Sequence, residues 1–172
     1  MELEQVIKER YSVRRFSDRE IEQEKLDKIL DAGRIAPTAA NAQPQKILVI
    51  KSEESKDKLK SVCRFTFGAP VILLACADMR KVWKNKNEEG YDSAEMDLSI
   101  IGTHMMLEAC NLGIGSCWIR AFNSNEVKEA FDLPEYIKPI FILPIGYEAD
   151  DFEPSMNVHL SRNAIEDEVI YI

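Results

Sequence analysis

Asp92-Ser-Ala-Glu-Met-Asp-Leu-Ser-Ile-Ile-Gly-Thr-His-Met-Met-Leu-Glu-Ala-Cys-Asn-Leu112 is the longest helical stretch in the sequence. Met96, Ile100, Ile101, Met105, Leu107, Ala109 and Leu112 spread apolar side chains nearly all round its axis. A helix without a polar face is buried, either in a core or across a subunit interface. Gly113 follows as a C-terminal cap and Gly115 helps to stop it. Upstream, Val71-Ile-Leu-Leu-Ala-Cys-Ala77 is an unbroken apolar run of strand length, the pattern of a strand covered on both faces. Between the two, Arg80 to Gly90 is polar and reads as loop or surface helix.

The remaining elements fall around this pair. Glu2 to Glu9 predicts a short opening helix. Glu24 to Ala36 predicts a second, with Leu26, Ile29, Leu30 and Ile35 at near-helical intervals and Pro37 ending it. Lys46 to Lys51 reads as a strand and Glu53 to Val62 as a helix. Ser116 to Ile119 reads as a short strand. Asn123-Ser-Asn-Glu126 resembles a capping box that opens a helix through Phe131. Lys138 to Ile145 is a strand closed by Gly146, and Val169-Ile-Tyr-Ile172 is a candidate edge strand. Helices and strands mix without a repeating βα unit, which predicts α+β rather than a doubly wound fold. No repeat or linker divides residues 1–172, so they read as one domain.

Composition narrows the chemistry. Hydrophobic residues make up 45% and charged residues 30%, as in ordinary globular proteins. No apolar run is long enough to span a bilayer, and Met1-Glu2-Leu3-Glu4-Gln5 lacks the layout of a secretory signal, so the expected compartment is the cytoplasm. Twenty-two Lys and Arg against thirty Asp and Glu leave a net charge of −8, which argues against nucleic acid as a partner. Cys63, Cys76, Cys110 and Cys117 lack paired spacing and only His104 and His159 accompany them, which argues against a metal site.

Two segments carry candidate chemistry. In Arg10-Tyr11-Ser12-Val13-Arg14-Arg15-Phe16, an extended backbone puts Arg10, Ser12 and Arg14 on one side. Guanidinium and hydroxyl donors in that arrangement suit a phosphate or carboxylate, although a charged strand edge would read the same way. In Pro37-Thr38-Ala39-Ala40-Asn41-Ala42-Gln43-Pro44, small residues permit close approach and amides can pair with a heterocycle. A plain turn has the same composition.

Taken in order, these segments resemble the FMN-dependent nitroreductases. The likeness rests on Arg-x-Ser-x-Arg-x-Phe at 10–16 and Ala-Pro-Thr-Ala-x-Asn-x-Gln-Pro at 36–44. Asp97, Leu112-Gly-Ile-Gly-Ser-Cys-Trp-Ile119, Pro144-Ile-Gly-Tyr147 and Arg162 with Ala164-Ile-Glu166 extend it over nearly the whole chain. The resemblance implies a nitroreductase-like fold, a central and mostly antiparallel sheet flanked by helices, in an intertwined homodimer with FMN at the interface.

It further implies that Arg10, Ser12 and Arg162 hold the flavin phosphate, that Arg14 reaches the pyrimidine edge, and that Tyr11 touches the cofactor through its backbone. Pro37, Thr38, Ala39 and Asn41 would come from the second subunit, and Ile119, Arg120 and Ala121 would turn backbone N–H groups towards the ring. No side chain is then needed as an acid or base. The implied activity is ping-pong hydride transfer from NADH or NADPH, through the flavin, to a nitroaromatic, quinone or similar acceptor. A specialised flavin enzyme of dehalogenase or flavin-consuming type, and a non-catalytic FMN-binding module, are the alternatives. The chain departs from the family pattern at Arg120, where glycine is usual, at Gln45, where an aromatic is common, and at Leu160, where a basic residue is usual.

Overall fold

The computed structural model describes every residue from Met1 to Ile172. In chain order the elements are α1 (Leu3–Glu9), α2 (Gln23–Ile35), β1 (Gln45–Ile50), α3 (Glu53–Val62), β2 (Val71–Asp78), α4 (Ala94–Asn111), β3 (Gly115–Ser116), α5 (Ser124–Ala130), β4 (Ile137–Gly146), α6 (Met156–Leu160) and α7 (Ile165–Glu168). The four strands form one sheet in the order β1-β2-β4-β3, antiparallel at every step.

β2 is buried along its whole length, and the two-residue period of a strand sorts its side chains between two cores. Leu73, Ala75 and Ala77 meet Leu26 and Ile29 of α2 and Leu98, Ile101 and Met105 of α4. Ile72, Leu74 and Cys76 meet Leu59 of α3 and Val127 of α5 on the opposite face. Helices therefore cover both faces, and the fold is α+β, as the mixed pattern predicts.

β4 carries two prolines beside a central strand, which costs ladder donors. Pro139 lies at the irregularity where Ala75 pairs Phe141 and Cys76 pairs Pro139. Pro144 accepts from Cys117 N–H at 3.2 Å and offers nothing in return. β3 is accordingly two residues long rather than reaching Ile119. Ile119 rejoins β4 only as an isolated bridge to Ile142. Trp118 leaves the ladder and stacks on Phe141, with ring centroids 3.8 Å apart. Gly102 of α4 makes room for that stack, since a Cβ there would lie 2.3 Å from the Trp118 ring.

α4 ends as expected. Gly113 takes φ +72, its N–H reaches Cys110 O at 3.0 Å, and Ile114 N–H reaches Ala109 O at 2.8 Å. This is a Schellman closure. At α5, Asn123 Oδ1 accepts from Asn125 N–H at 2.9 Å while its amide donates to Glu126 at 3.2 Å, so the box closes side chain to side chain.

Within one chain α4 buries Asp97, Leu98, Ile101, Gly102, Met105 and Ala109 and leaves Met96 half exposed. One expectation needs correction: the tail adds no edge strand. Val169–Ile172 pairs with nothing, and Ile170 and Tyr171 are 83% and 94% exposed. β-branched and aromatic residues favour strands only where an edge is offered to them. The short helices α6 and α7 precede Val169–Ile172. Arg80 to Gly90 forms loop and turns rather than helix.

Candidate functional site

The segment after α1 is held against the sheet by its apolar members. Val13 is buried, its N–H donates to Ser116 O at 3.0 Å, and it packs on Gly115, where any Cβ would come within 2.7 Å of it. Ser12 bridges Ser116 in parallel. With Val13 pinned inward, Arg10, Tyr11, Ser12 and Arg14 line a cavity of about 360 Å³ together with Pro154, Ser155, Val158, His159 and Arg162. Arg10, Tyr11, Ser12, Arg14 and Arg162 thus converge from opposite ends of the sequence.

Charge in this cavity is one-sided. Its lining contains Arg10, Arg14, Arg162 and His159 but no carboxylate. The Arg-rich start of the chain divides accordingly. Arg15 pairs Asp151 at 2.7 Å, and Arg19 pairs Glu22 at 2.9 Å while lying 3.7 Å from the Tyr147 ring centre. Arg10 and Arg14 have no carboxylate partner, in a chain whose net charge is −8. Arg162 donates only to main-chain oxygens, those of His159 and Ser161. An anion with several acceptor oxygens is what such a donor set accommodates. The phosphate of FMN fits it.

Tyr11 donates its hydroxyl to Glu148, and burial, then that bond, push the phenol up to about 12, so it stays neutral. Cys117 lies behind the same segment. Burial raises its thiol, with Arg14, Ser12 and Arg10 opposing, so it is not a ready thiolate.

The loop with Pro37, Thr38, Ala39 and Asn41 does not line this cavity. Its shape is held from beneath. Asp97 is 1% exposed and accepts the Ala39 N–H at 2.7 Å and the Ser93 hydroxyl at 2.7 Å, and Ser93 accepts the Trp83 N–H at 3.1 Å. Thr38 Oγ1 accepts Gln43 N–H at 3.1 Å, closing the loop on itself. Ala40, Asn41 and Gln43 sit at φ 49, 53 and 49, with Ala42 right-handed between them; the left-handed region is uncommon for alanine and glutamine. Where the loop enters β1, Gln45 Oε1 is buried without a hydrogen-bond partner.

Ile119, Arg120 and Ala121 also lie outside the cavity lining. The Ile119 N–H is taken by Ile142 O at 2.9 Å, so it is not free for a ligand, whereas Arg120 and Ala121 donate to no backbone carbonyl. The exposed Arg120 side chain turns to Phe122, reaching its carbonyl at 3.4 Å. Sequence reasoning missed one participant, His159, and the contact that joins Asp97 to Ala39. His159 is one of two histidines and sits three residues before Arg162, a proximity that could have flagged it. The partner of Asp97 lies 58 residues away, and nothing in the sequence ties them.

The fold and sequence have counterparts among known proteins. The profile of the nitroreductase family matches residues 7–64 and 61–147. A solved nitroreductase family protein from Clostridium difficile is 39% identical, with a TM-score of 0.91 over 99% of this chain and 98% of that one. A Bacillus subtilis protein named FMN reductase [NAD(P)H] is 30% identical over 81% of this chain and 63% of its own length. A provisionally named nitroreductase from Exiguobacterium sibiricum, solved in complex with FMN, shares the fold at a TM-score of 0.83 and 22% identity, over 100% of this chain and 98% of that one. The Arg-x-Ser-x-Arg segment, the loop braced by Asp97 and the whole sheet fall inside the matched residues: this chain belongs to the nitroreductase family.

Proposed function

We propose that this chain is an FMN-dependent NAD(P)H oxidoreductase that works as a homodimer and passes hydride by ping-pong to a nitroaromatic, quinone or similar acceptor. The observation that carries this reading is the cavity lined by Arg10, Arg14, Arg162 and His159 with no carboxylate. A relative named FMN reductase [NAD(P)H] and the FMN complex of a protein with this fold support it. Bound FMN supplies the redox chemistry, taking hydride from NADH or NADPH and yielding it to the acceptor.

The side chains bind and orient. Arg10, Ser12 and Arg162 hold the phosphate by charge-assisted and neutral hydrogen bonds. Arg14, without a carboxylate partner, is a cation that would favour negative charge on the pyrimidine edge of the ring. Tyr11, neutral and tied to Glu148, keeps the segment in place and leaves its backbone to the cofactor. Arg120 and Ala121 have the N–H groups that can meet ring acceptors.

A second copy supplies what one chain does not bring to the cavity: Pro37, Thr38, Ala39 and Asn41 against the ring and ribityl chain. Exposed Val158, Leu160, Ile165, Ile170 and Tyr171 of the tail support self-association, because apolar side chains gathered on one short segment mark an interface. The test is anaerobic addition of NADH or NADPH to the FMN-loaded protein. Bleaching of the flavin band is expected. A band that neither nucleotide bleaches would overturn the oxidoreductase reading.

A further inference from the structure

The geometry points to His159 as a further phosphate ligand of this site, one that takes up a proton when FMN binds. The inference rests on the FMN reading above. His159 reaches the cavity from α6, at the opposite end of the chain from Arg10, Ser12 and Arg14, and lies half-buried among them. Its ring meets Tyr11 edge-on, with centroids 6.1 Å apart. Its main-chain oxygen accepts from Arg162, so the two residues are positioned as a unit.

One contact decides the tautomer. Nε2 lies 3.1 Å from the main-chain oxygen of Lys8. A carbonyl can only accept, so Nε2 carries the hydrogen and Nδ1 is the nitrogen left for a ligand. In the neutral ring Nδ1 holds a lone pair that a phosphate oxygen would oppose. To donate, it must gain a proton.

The charged and titratable neighbours set when that happens. Lys8 and Arg10 lie at the end of α1, Tyr11 and Arg14 on the following segment, Arg162 after α6, and Glu148 behind Tyr11. Lys8 is paired to Glu4, and Glu148 is occupied by the Tyr11 hydroxyl. The guanidiniums of Arg10, Arg14 and Arg162 oppose a further positive charge. A phosphate dianion placed among them reverses the balance and draws a proton onto Nδ1. That proton comes from the solution, so the buffer's heat of ionisation reports it.

Flavin-depleted wild-type protein and His159→Gln, whose amide can still donate to Lys8, are titrated with FMN and with riboflavin. Calorimetry at about pH 7.5 in buffers of different ionisation enthalpy counts the protons exchanged. The wild type should take up more proton than the variant with FMN, and both should behave alike with riboflavin, which lacks the phosphate. His159→Gln should lose roughly tenfold or more in FMN affinity, the scale of one charge-assisted hydrogen bond, and keep its riboflavin affinity. Equal proton uptake in the two proteins, or equal losses for both flavins, would overturn the role of His159 while leaving the FMN reading standing. A wild type that binds neither flavin would overturn both.

Discussion

Arg10, Ser12 and Arg14 line one cavity while Val13 is buried against Gly115. Arg15 and Arg19, only slightly further along, are neutralised by Asp151 and Glu22 and belong to the surface. Arg10→Ala removes one charge-assisted donor and is expected to weaken FMN binding by roughly 1.5–3 kcal/mol. Riboflavin affinity should hardly change, and fluorescence titration of both flavins checks it. Arg14→Ala should leave the fold intact but lower the reduction potential of bound flavin, because a cation near the pyrimidine edge stabilises the reduced, more negative ring. Spectroelectrochemistry measures it, and an unchanged potential would remove Arg14 from that role. At this scale the sequence was legible in part: Arg10, Ser12 and Arg14 do share a cavity while Val13 goes inward, but Tyr11, which strict alternation would send to the other side, lines it too. His159 was not legible in that way, since its place depends on where the chain returns after β4.

The loop and the elements beneath it act as one unit. Asp97, in the first turn of α4, enters the sequence reading only as one of the residues that carry the family likeness. The structure gives it the Ala39 N–H and the Ser93 hydroxyl as well. Asp97→Ala would strand those donors. A loss of about 1–3 kcal/mol in urea unfolding is expected, with weaker FMN binding as the left-handed loop relaxes. Unchanged FMN affinity would separate the loop from the site. At the far end of β2, the Arg80 side chain bonds Asp78 and lowers its carboxyl to about 2. Because that value lies below the unfolded one, the stabilisation is full above about pH 4 and fades as pH falls towards 2. Thermal melts across that range should show a shallower acid decline in Asp78→Asn than in the wild type. Element boundaries followed local signals well where the signal was local: Pro37 after α2, Gly113 after α4, Asn123 before α5. They failed where a partner was required. β3 stops early because Pro144 has no N–H to give, and the tail is not a strand because no edge meets it.

For the whole molecule, the two cores close on β2 within one chain, but residues 165–172 belong to neither. Deleting residues 165–172 removes exposed Ile165, Ile170 and Tyr171 while leaving both cores and Arg162 in place. The shortened chain should fold with native secondary structure but dissociate at higher concentration than the full chain, which sedimentation equilibrium reads directly. Equal self-association would free the tail of that role. The mixed, non-repeating order of helices and strands foretold the α+β class, yet a single sequence carries no signal for which side of α4 stays exposed in one chain. The most direct test of the central idea, that a cationic cavity of one chain and a small-residue loop of another close on the same FMN, is sedimentation velocity with added FMN, followed at the flavin absorption band. Flavin moving with a species of twice the 19.7 kDa chain mass is expected. A colourless 19.7 kDa monomer sedimenting away from free flavin would contradict it.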